Sequence, residues 1–451
     1  MRKLSKARDC QDQKSLLIIS QLDMQRAGNQ LLYQAVCGYI TSGYKVILLT
    51  SNSASDRNRA DYDELLGPFI DRVSICRFTP LFRPLAKLGV QARKLLLRHR
   101  SIWPKTPVTD VDSTIPFGTS GGKSVLGLLS WVSFILGGIF KAIWLAQRYR
   151  VKIVYGYEVY GAPVGFIVSR LLHIPLITKF QGTIAFPELE RSGAWLRIPH
   201  HLLALKIPAD LVIMENDGTH GKEVLLKLGV PEEKIRFWVD GVKKDMYIPQ
   251  FEKHLLLDKL DLNHDARIIL AVSRLAKWKR VDRAVRAMPE VIRNIANAFL
   301  VVVGGGEGKE DLENLARSLR VDAHVMLMGP ISHDEVGYFF NGCDLFLSLY
   351  DHSNLCNPVL EALSCGKCVL TINDGSTEGL LLDGYNAILV AKLDLEEILP
   401  KTIVSLLSNN EKRQQIAENA RKYAKESLQS WEDRMTMELQ EVEQLWKEKR
   451  D

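Results

Sequence analysis

The stretch from Leu345 to Thr371 constrains the fold more than any other part of this sequence. Its pattern predicts a short buried strand at Leu345–Ser348, a polar loop at Asp351–Asn357, and a helix whose first residue is Pro358, where the missing N–H costs nothing. A tight turn and a second buried strand, Cys368–Thr371, complete the unit. This order of strand, loop, helix and strand is typical of a parallel sheet in an α/β domain.

The loop and helix of this stretch also suggest a ligand. A loop that ends on a helix N-terminus presents free backbone N–H groups and a partial positive charge, which suit a phosphate. Glu361 lies one turn into the helix and is expected to point back towards the loop. A carboxylate beside a phosphate is unfavourable unless it accepts from hydroxyl groups, such as those of a ribose. The stretch therefore fits a nucleoside diphosphate site, and equally an ordinary crossover with an exposed glutamate.

A second stretch favours the ligand site. Ile268–Trp278 begins as an apolar strand that ends at Ser273, and two cations, Arg274 and Lys279, follow before a helix that begins near Asp282. Open α/β sheets bind ligands in the crevice at the carboxyl ends of their strands. Two cations at such an end predict an anionic ligand.

Three motifs in the second half of the chain resemble one family. They are SRLAKWKRVD from Ser273, GGGEG from Gly304 and NPVLEALSCG from Asn357. They resemble the retaining glycosyltransferases with the GT-B fold, the glycosyl transferases group 1, in the family often numbered four. The resemblance is strong over 210–431 and weaker over 16–50 and 151–183.

This resemblance implies an α/β fold of the GT-B type, in which two Rossmann-like parallel-sheet domains face each other across a cleft. We expect an acceptor-side domain over residues 1–246 and a nucleotide-sugar-binding domain over 247–428. A last helix over 429–451 is expected to cross back to the first domain. Its apolar stripe, with Trp431 and Met435 among its members, fits that role.

The resemblance also implies an activity. The chain is expected to be a hexosyltransferase that moves a sugar from a UDP- or GDP-sugar to a glycan or lipid-linked acceptor, with retention at the anomeric carbon, in surface polysaccharide or glycoconjugate synthesis. The nucleotide-sugar is a substrate, so we expect no cofactor. Since no Asp-x-Asp motif stands in a suitable loop, we expect no metal, and Arg274 and Lys279 would be the catalytic cations that stabilise the leaving diphosphate.

The remaining site residues follow from the matching motifs and strand ends. The expected donor-binding residues are Glu361, Asn357, Pro358, Val359, Ser353, Gly306, Met328 and Gly28. The expected acceptor-side residues are Gln181, Gly182 and Glu158, which follow two predicted strands of the first domain. The family usually has two glycines near Gly28 and a histidine at Gln181, whereas this chain has Ala27-Gly28 and a glutamine that cannot titrate.

Position 353 departs from the family pattern. Members typically carry two glutamates separated by seven residues, and the position that pairs with Glu361 is Ser353. Glu361 is therefore expected to keep the ribose, since a carboxylate accepts from two hydroxyls at once. A serine is shorter and neutral, so it would hold the donor sugar more weakly or leave room for a different one. Asp351 would supply the missing carboxylate if the loop bends inward.

The composition restricts the setting of the protein. The 451 residues carry a net charge of +6, which does not imply a nucleic-acid partner, and seven cysteines do not suggest a disulfide framework. The apolar run at Leu16–Ile19 is too short for a signal peptide, so a cytoplasmic protein is expected. Arg83–Lys105 is basic with interleaved leucines and a tryptophan, and Ser124–Phe140 carries no charge. An anionic membrane surface is therefore an expected partner, although Ser124–Phe140 also fits a helix packed on the sheet and is shorter than a span.

Three other functions remain open at this point. A nucleotide-sugar epimerase shares the architecture, and a scaffold that binds nucleotide-sugar without catalysis would use the same residues. A nicotinamide oxidoreductase is suggested only by the glycine-rich turn at Gly304. That class needs an acidic residue near the end of the following strand, and 325–329 contains none.

Overall fold

The computed structural model describes residues 14–22, 30–51, 66–78, 80, 125–189, 193–377 and 379–448. These residues form two compact units. The first unit runs to Glu215 and also contains Gly221–Trp238 and the chain from Met435. The second unit consists of Asn216–His220 and Val239–Arg434.

The first unit is built on a parallel sheet of seven strands. Its central strands are buried, as expected for apolar runs covered by helices on both faces, and the two edge strands are partly buried. The sheet contains β1 (Ser15–Ser20), β2 (Lys45–Ser51), β3 (Val73–Phe78), β4 (Ile153–Tyr157), β5 (Leu176–Phe180), β6 (Leu211–Glu215) and β7 (Ile235–Trp238), in the order β3-β2-β1-β4-β5-β6-β7. The accompanying helices are α1 (Gln30–Thr41), α2 (Val125–Arg148), α3 (Glu158–Leu172), α4 (Ala185–Leu189), α5 (Ala194–Arg197), α6 (Pro199–Leu205) and α7 (Gly221–Lys227).

The second unit is built on a parallel sheet of six strands. The strands are β8 (Arg267–Val272), β9 (Ala298–Val303), β10 (Val325–Gly329), β11 (Leu345–Ser348), β12 (Val369–Asn373) and β13 (Ile388–Ala391), in the order β10-β9-β8-β11-β12-β13. Its helices are α8 (His254–Lys259), α9 (Val281–Asn294), α10 (Lys309–Ser318), α11 (His333–Gly342), α12 (Asn357–Ser364), α13 (Leu395–Ser408) and α14 (Asn410–Ser427). A last helix, α15 (Trp431–Glu448), follows. Two Rossmann-like sheets confirm the predicted fold class.

In each sheet the strand order reverses at one place. The first sheet reverses between β1 and β4, and the second between β8 and β11, where Leu345 lies beside Ile269 and Phe346 beside Leu270. In open α/β sheets, ligands bind outside the carboxyl ends of the strands at such a point. The loops after β8 and β11 are the two stretches singled out by the sequence.

The last helix returns to the first unit, as predicted. From Met435 onwards α15 belongs to that unit, and Met435 and Val442 are buried against its first strands. Glu441 forms an ion pair with Arg236 of β7 at 2.6 Å. The stripe of apolar residues along α15 therefore has the packing role that its helical spacing indicates.

A buried cluster of charges fixes α15 to the sheet of the first unit. Lys179 Nζ lies 2.9 Å from Glu215 Oε1 and 3.1 Å from Glu438 Oε2, and all three side chains are at most 3% exposed. The hydroxyls of Tyr155 and Tyr39 donate to Glu438 Oε1 at 2.7 and 3.1 Å. Buried charges are stable only when they are paired and hydrogen-bonded, and this cluster meets both conditions.

The uncharged run that begins at Ser124 lies largely in α2. One face of α2 packs on the sheet through Phe134 and Leu145, which are at most 1% exposed. The opposite face is apolar and exposed, with Phe140 78% and Trp144 47% accessible. By length and composition alone, Leu128–Arg148 is long and apolar enough to cross a membrane, but it is the sole candidate span among the residues searched and is weak evidence for one. The basic segment 83–105 lies outside the described residues.

Candidate active site

The turn after β8 is held between glycines of the neighbouring strand connection. Ser273 N donates to Val303 O at 3.0 Å and Leu275 N to Gly305 O at 2.9 Å, so the backbone on both sides of Arg274 is fixed. Gly304 has φ +133°, and a Cβ there would lie 1.9 Å from Ser273 O. Only glycine fits this approach. The glycine-rich turn therefore orients the loop that carries Arg274.

Gly306 and Met328 lie next to this turn. A Cβ on Gly306 would lie 2.8 Å from Leu275 N, so the predicted donor-binding glycine has a packing role here. Met328 is partly buried near the end of β10, and the following Gly329 O accepts from Gly304 N at 2.8 Å. Both residues thus stand beside the carboxyl end of β8, the region in which the sequence predicted them to bind the donor.

Lys279 ends a short 3₁₀ helix, Lys277–Lys279, after β8. Its ammonium lies 3.8 Å from the ring centroid of Tyr350 and 4.0 Å from that of Trp278. Burial, assisted by the charge of Arg274, lowers the pKa of Lys279 to about 8 against the opposing effects of Cys356 and Asp217. A desolvated cation over aromatic faces is ready to bind an anion.

The cations around this loop divide into two groups. Arg280 and Arg283 form ion pairs with Asp351 Oδ1 at 3.2 and 2.7 Å. Arg274 and Lys279, by contrast, form no ion pair with any described residue. The two cations that the sequence assigned to catalysis are thus left available to a ligand.

The ion pairs of Asp351 correct one expectation. The sequence analysis allowed Asp351 to supply the carboxylate missing at position 353. In the structure, Arg280 and Arg283 hold the Asp351 carboxylate, because two guanidinium groups converge on one of its oxygens. Asp351 therefore fixes the start of the β11–α12 loop, residues 349–356, and the Ser353 hydroxyl donates to a different carboxylate.

The N-terminus of α12 follows the β11–α12 loop and is the last part of the candidate site in the second unit. Asn357 is its first residue and Pro358 its second, so the helix begins one residue before the predicted start. No side chain caps the helix, and Asn357 Oδ1 has no hydrogen-bond partner among the described residues. Val359 is fully buried, and Glu361, one turn later, is 7% exposed. The two stretches of sequence meet here, since Asp351 N donates to Trp278 O at 3.1 Å.

Ser353 contacts a carboxylate that the sequence analysis missed. Its hydroxyl donates to Asp217 Oδ2 at 2.9 Å, and its φ of +67° is uncommon for a residue other than glycine. Asp217 follows β6, and burial raises its pKa to about 6 while hydrogen bonds from Thr219 and Ser353 oppose the rise. The one sequence signal was an Asp-Gly pair after a buried strand, which commonly means a turn.

The predicted acceptor-side residues meet in the first unit. Glu158 Oε1 accepts from Gln181 N at 2.7 Å, and Gln181 Nε2 donates to the Tyr157 hydroxyl at 2.6 Å. Gly182 has φ +125°, which favours glycine. Adjacent strand ends therefore bring Glu158, Gln181 and Gly182 together, and Tyr157 joins them. Gly28 lies outside the described residues.

The structure offers no evident metal site where it is described. In that part of the chain, no group of three His, Cys, Asp or Glu side chains is placed to hold a metal ion.

The two Rossmann-like sheets, with a charged loop at the switch point of the second, define a protein of the GT-B class. The structure of Anabaena Alr3699/HepE in complex with UDP-glucose superposes with a TM-score of 0.66 at 18% identity and covers 95% of this chain and 99% of that one. At this identity the likeness shows the fold.

Sequence comparison finds a family match in the second half of the chain. Residues 253–423 match the family described as glycosyl transferases group 1. The uncharacterized glycosyltransferase MJ1069 of Methanocaldococcus jannaschii is 26% identical over 228 residues, which are 47% of this chain and 58% of the relative. Alpha-monoglucosyldiacylglycerol synthase of Acholeplasma laidlawii is 27% identical over 175 residues, 38% of this chain and 43% of the relative. The chain thus spans about half the length of these relatives.

Proposed function

We propose that this protein is a retaining hexosyltransferase of the family numbered four, which moves a sugar from a UDP- or GDP-sugar to a lipid-linked or glycan acceptor. The observation that carries the proposal is the pair of cations, Arg274 and Lys279, at the carboxyl end of β8 beside the switch point. Neither cation has an ion-pair partner among the described residues, whereas Arg280 and Arg283 next to them do. Such an arrangement suits a diphosphate.

The roles of the residues follow from charge development in the reaction. When the bond between the sugar and the diphosphate breaks, negative charge builds on the diphosphate, and Arg274 and Lys279 stabilise it. The free N–H groups at the start of α12 assist. Glu361 accepts hydrogen bonds from the ribose hydroxyls. No resident cofactor takes part, because the nucleotide-sugar is itself a substrate.

Relatives support the class of donor and acceptor. The Anabaena structure contains UDP-glucose, and the name of the Acholeplasma relative describes synthesis of a glucosyl lipid. Because the alignments with these relatives are partial, the donor, the lipid acceptor and the retention of configuration are parts of this proposal. With such a donor and acceptor, the protein would act in glycolipid or surface polysaccharide synthesis.

A donor panel tests the proposal. Ligand-observed NMR with UDP, GDP, UDP-glucose and GDP-mannose is expected to show binding of one nucleotide and its sugar derivative. Glu361→Ala is expected to weaken binding of the bare diphosphate as well as the sugar donor, since it removes the ribose contact. Glu310→Ala, which removes an exposed carboxylate on α10 outside these motifs, is the control and should leave nucleotide binding unchanged. Intact diphosphate binding by Glu361→Ala would contradict the assigned role.

The same panel separates the rival functions. Conversion of free UDP-glucose to an epimer without acceptor would favour an epimerase. Binding with neither transfer nor hydrolysis, across lipid and glycan acceptors, would favour a scaffold. Binding of NAD in preference to UDP and GDP would favour an oxidoreductase.

We further propose that the protein works as a peripheral protein on the cytoplasmic face of an anionic membrane. The exposed face of α2 carries Leu136, Phe140 and Trp144. Lys141 Nζ lies 4.4 Å from the Trp144 ring centroid, so cationic and aromatic groups stand together as they do at lipid headgroups. The basic segment 83–105 would add to this attraction.

Liposome flotation tests membrane binding. The protein is expected to float with anionic vesicles at low salt, and Phe140→Ser with Trp144→Ser is expected to reduce the floated fraction. Leu393→Ser, at a residue that is 77% exposed in the second unit, is the matched control and should not alter flotation. Absence of binding to anionic vesicles at low salt would reject the membrane proposal and leave the transferase proposal intact.

A further inference from the structure

The segment Asn216–His220, between β6 and α7, packs against the β11–α12 loop of the second unit. Leu355 N donates to Asp217 O at 3.0 Å. Gly218 has φ +86°, and a Cβ there would lie 3.1 Å from the backbone N atoms of Asn354 and Leu355. The two backbones are thus in close contact, and this contact fixes where the Asp217 side chain lies.

The Asp217 carboxylate is shared between its own turn and the loop. Oδ1 accepts from the Thr219 hydroxyl at 2.6 Å and from Thr219 N at 3.2 Å, while Oδ2 accepts from the Ser353 hydroxyl at 2.9 Å. An ionised carboxylate offers about four acceptor positions, so these three bonds leave capacity for one more donor. The charge of Lys279 favours the ionised form.

The surroundings of this carboxylate are polar and incompletely paired. Asn354 is fully buried and its Nδ2 donates to Asp374 Oδ2 at 2.9 Å, yet its Oδ1 has no hydrogen-bond partner among the described residues. The same holds for Ser376 Oγ, which lies 3.1 Å from the Cβ position of Gly218. Buried polar atoms without partners are uncommon and point to a ligand that supplies them.

We propose that Asp217 is the carboxylate that recognises a hydroxyl group of the donor sugar, and that Ser353 positions it. This inference rests on the proposed function, because it presumes that a nucleotide-sugar binds beside Lys279. Asp217 then takes the place of an acidic residue at position 353. Asp351, the rival carboxylate, is held by Arg280 and Arg283. Specificity for the sugar thus depends on a residue more than a hundred positions away from the loop motif.

The alternative is a local role, in which Asp217 only stabilises its turn through Thr219. Asp217→Asn distinguishes the two, because the amide oxygen still accepts from Thr219 while the negative charge is lost. For whichever nucleotide the wild type binds, UDP or GDP, dissociation constants are measured for the bare nucleotide and for its glucose and mannose derivatives. We expect Asp217→Asn to raise the dissociation constant of the sugar derivative by about 10- to 150-fold, the scale for losing a hydrogen bond to a charged group. The dissociation constant of the bare nucleotide should change by less than about twofold.

A second variant tests the position of the charge. In the Asp217→Asn background, Ser353→Glu places a new carboxylate, supplied by the β11–α12 loop, close to the position of the lost one. This double variant is expected to restore binding of the sugar derivative. Asp351→Asn is the control and should leave the ratio of the two dissociation constants unchanged. If Asp217→Asn fails to fold, Ser353→Ala is used, with the same selective loss expected.

The outcomes are separable. Equal weakening of the bare nucleotide and the sugar derivative by Asp217→Asn, or a shifted ratio in Asp351→Asn alone, would overturn the role of Asp217 and leave the proposed function standing. No binding of UDP, GDP or their sugar derivatives by the wild type would overturn both. Selective loss with recovery in the double variant supports the inference, since a purely structural role would not be restored by a carboxylate on another segment.

Discussion

Two lysines, one in each unit, show opposite uses of the same side chain. Lys179 of the first unit lies between the carboxylates of Glu215 and Glu438 at 2.9 and 3.1 Å and is 3% exposed. Lys279 of the second unit lies over the rings of Trp278 and Tyr350, and no ion pair to it is found in the described part of the chain. Burial lowers the pKa of Lys279 to about 8.

The difference teaches how charge is divided between stability and function. Lys179 is neutralised by partners within the fold, so its charge holds α15 on the sheet and is not available to a ligand. Lys279 is desolvated without an ion pair, which costs stability and leaves a strong attraction for an incoming anion. A partly desolvated cation without an ion-pair partner is therefore the better sign of a binding site.

The largest expected effect concerns the first unit. Glu438→Ala removes a carboxylate that Lys179, Tyr39 and Tyr155 all contact, so we expect the free energy of unfolding to fall by about 3–5 kcal/mol, the scale for breaking a buried pair. Chemical denaturation measures it. Glu441→Ala on the same helix breaks only the partly exposed pair with Arg236 and should cost about 0–1 kcal/mol. Equal decreases in the free energy of unfolding in both variants would show that the buried cluster around Lys179 is no more important for stability than the partly exposed ion pair.

The second prediction concerns catalysis. Arg274→Ala and Lys279→Ala are each expected to lower kcat by roughly 10²–10³, the scale for losing one preorganised charge-stabilising donor. Steady-state kinetics with the donor found by NMR provides the measurement. Lys277→Ala, which removes an exposed cation from the same 3₁₀ helix, is the matched control with unchanged kcat. Unchanged turnover in a folded Arg274 or Lys279 variant would disprove the assignment.

The third prediction concerns pH. Lys279 is cationic below its pKa of about 8 and neutral above it, so affinity for the nucleoside diphosphate should fall as the pH rises through 8. The limit for one linked proton is about tenfold per pH unit. Lys279→Arg should flatten the dependence, because a guanidinium stays charged. An unaltered pH profile in Lys279→Arg would show that another group titrates.

The smallest expected effect is that of metal removal, for which we expect no change in activity. If protein cations perform the role of a metal, activity should survive EDTA, because nothing essential is removed. Assays of the purified protein with and without the chelator measure this. Full loss of activity that Mg²⁺ or Mn²⁺ restores would show that Lys279 and Arg274 act together with a metal and not in place of one.

Much of the fold could be read from the chain. Apolar runs with glycine-rich connections predicted parallel α/β sheets, and the spacing along α15 predicted a packed stripe that the burial of Met435 and Val442 confirms. The strands β7 and β13 were not predicted. Each is four residues long, and unlike the equally short β11 neither is followed by a motif that marks its end.

The site divides in the same way. Because Arg274, Lys279, Asn357 and Glu361 stand within short motifs at strand and helix ends, their positions could be predicted from neighbouring residues. Local sequence did not predict the partner of Ser353. Asp351, two residues away, was the nearest carboxylate in sequence, but it forms ion pairs with Arg280 and Arg283. The Ser353 hydroxyl donates to Asp217 instead.

The sequence by itself determined the order of most strands and helices, the cations after β8 and, to within one residue, the start of the helix at Asn357, because periodicity and backbone chemistry act over a few residues. The tertiary structure decided which charges are paired. It joined Lys179 to Glu438 across 259 positions and Ser353 to Asp217 across 136. Such pairs depend on which segments the sheets bring into contact, and burial then makes each choice of partner energetically important.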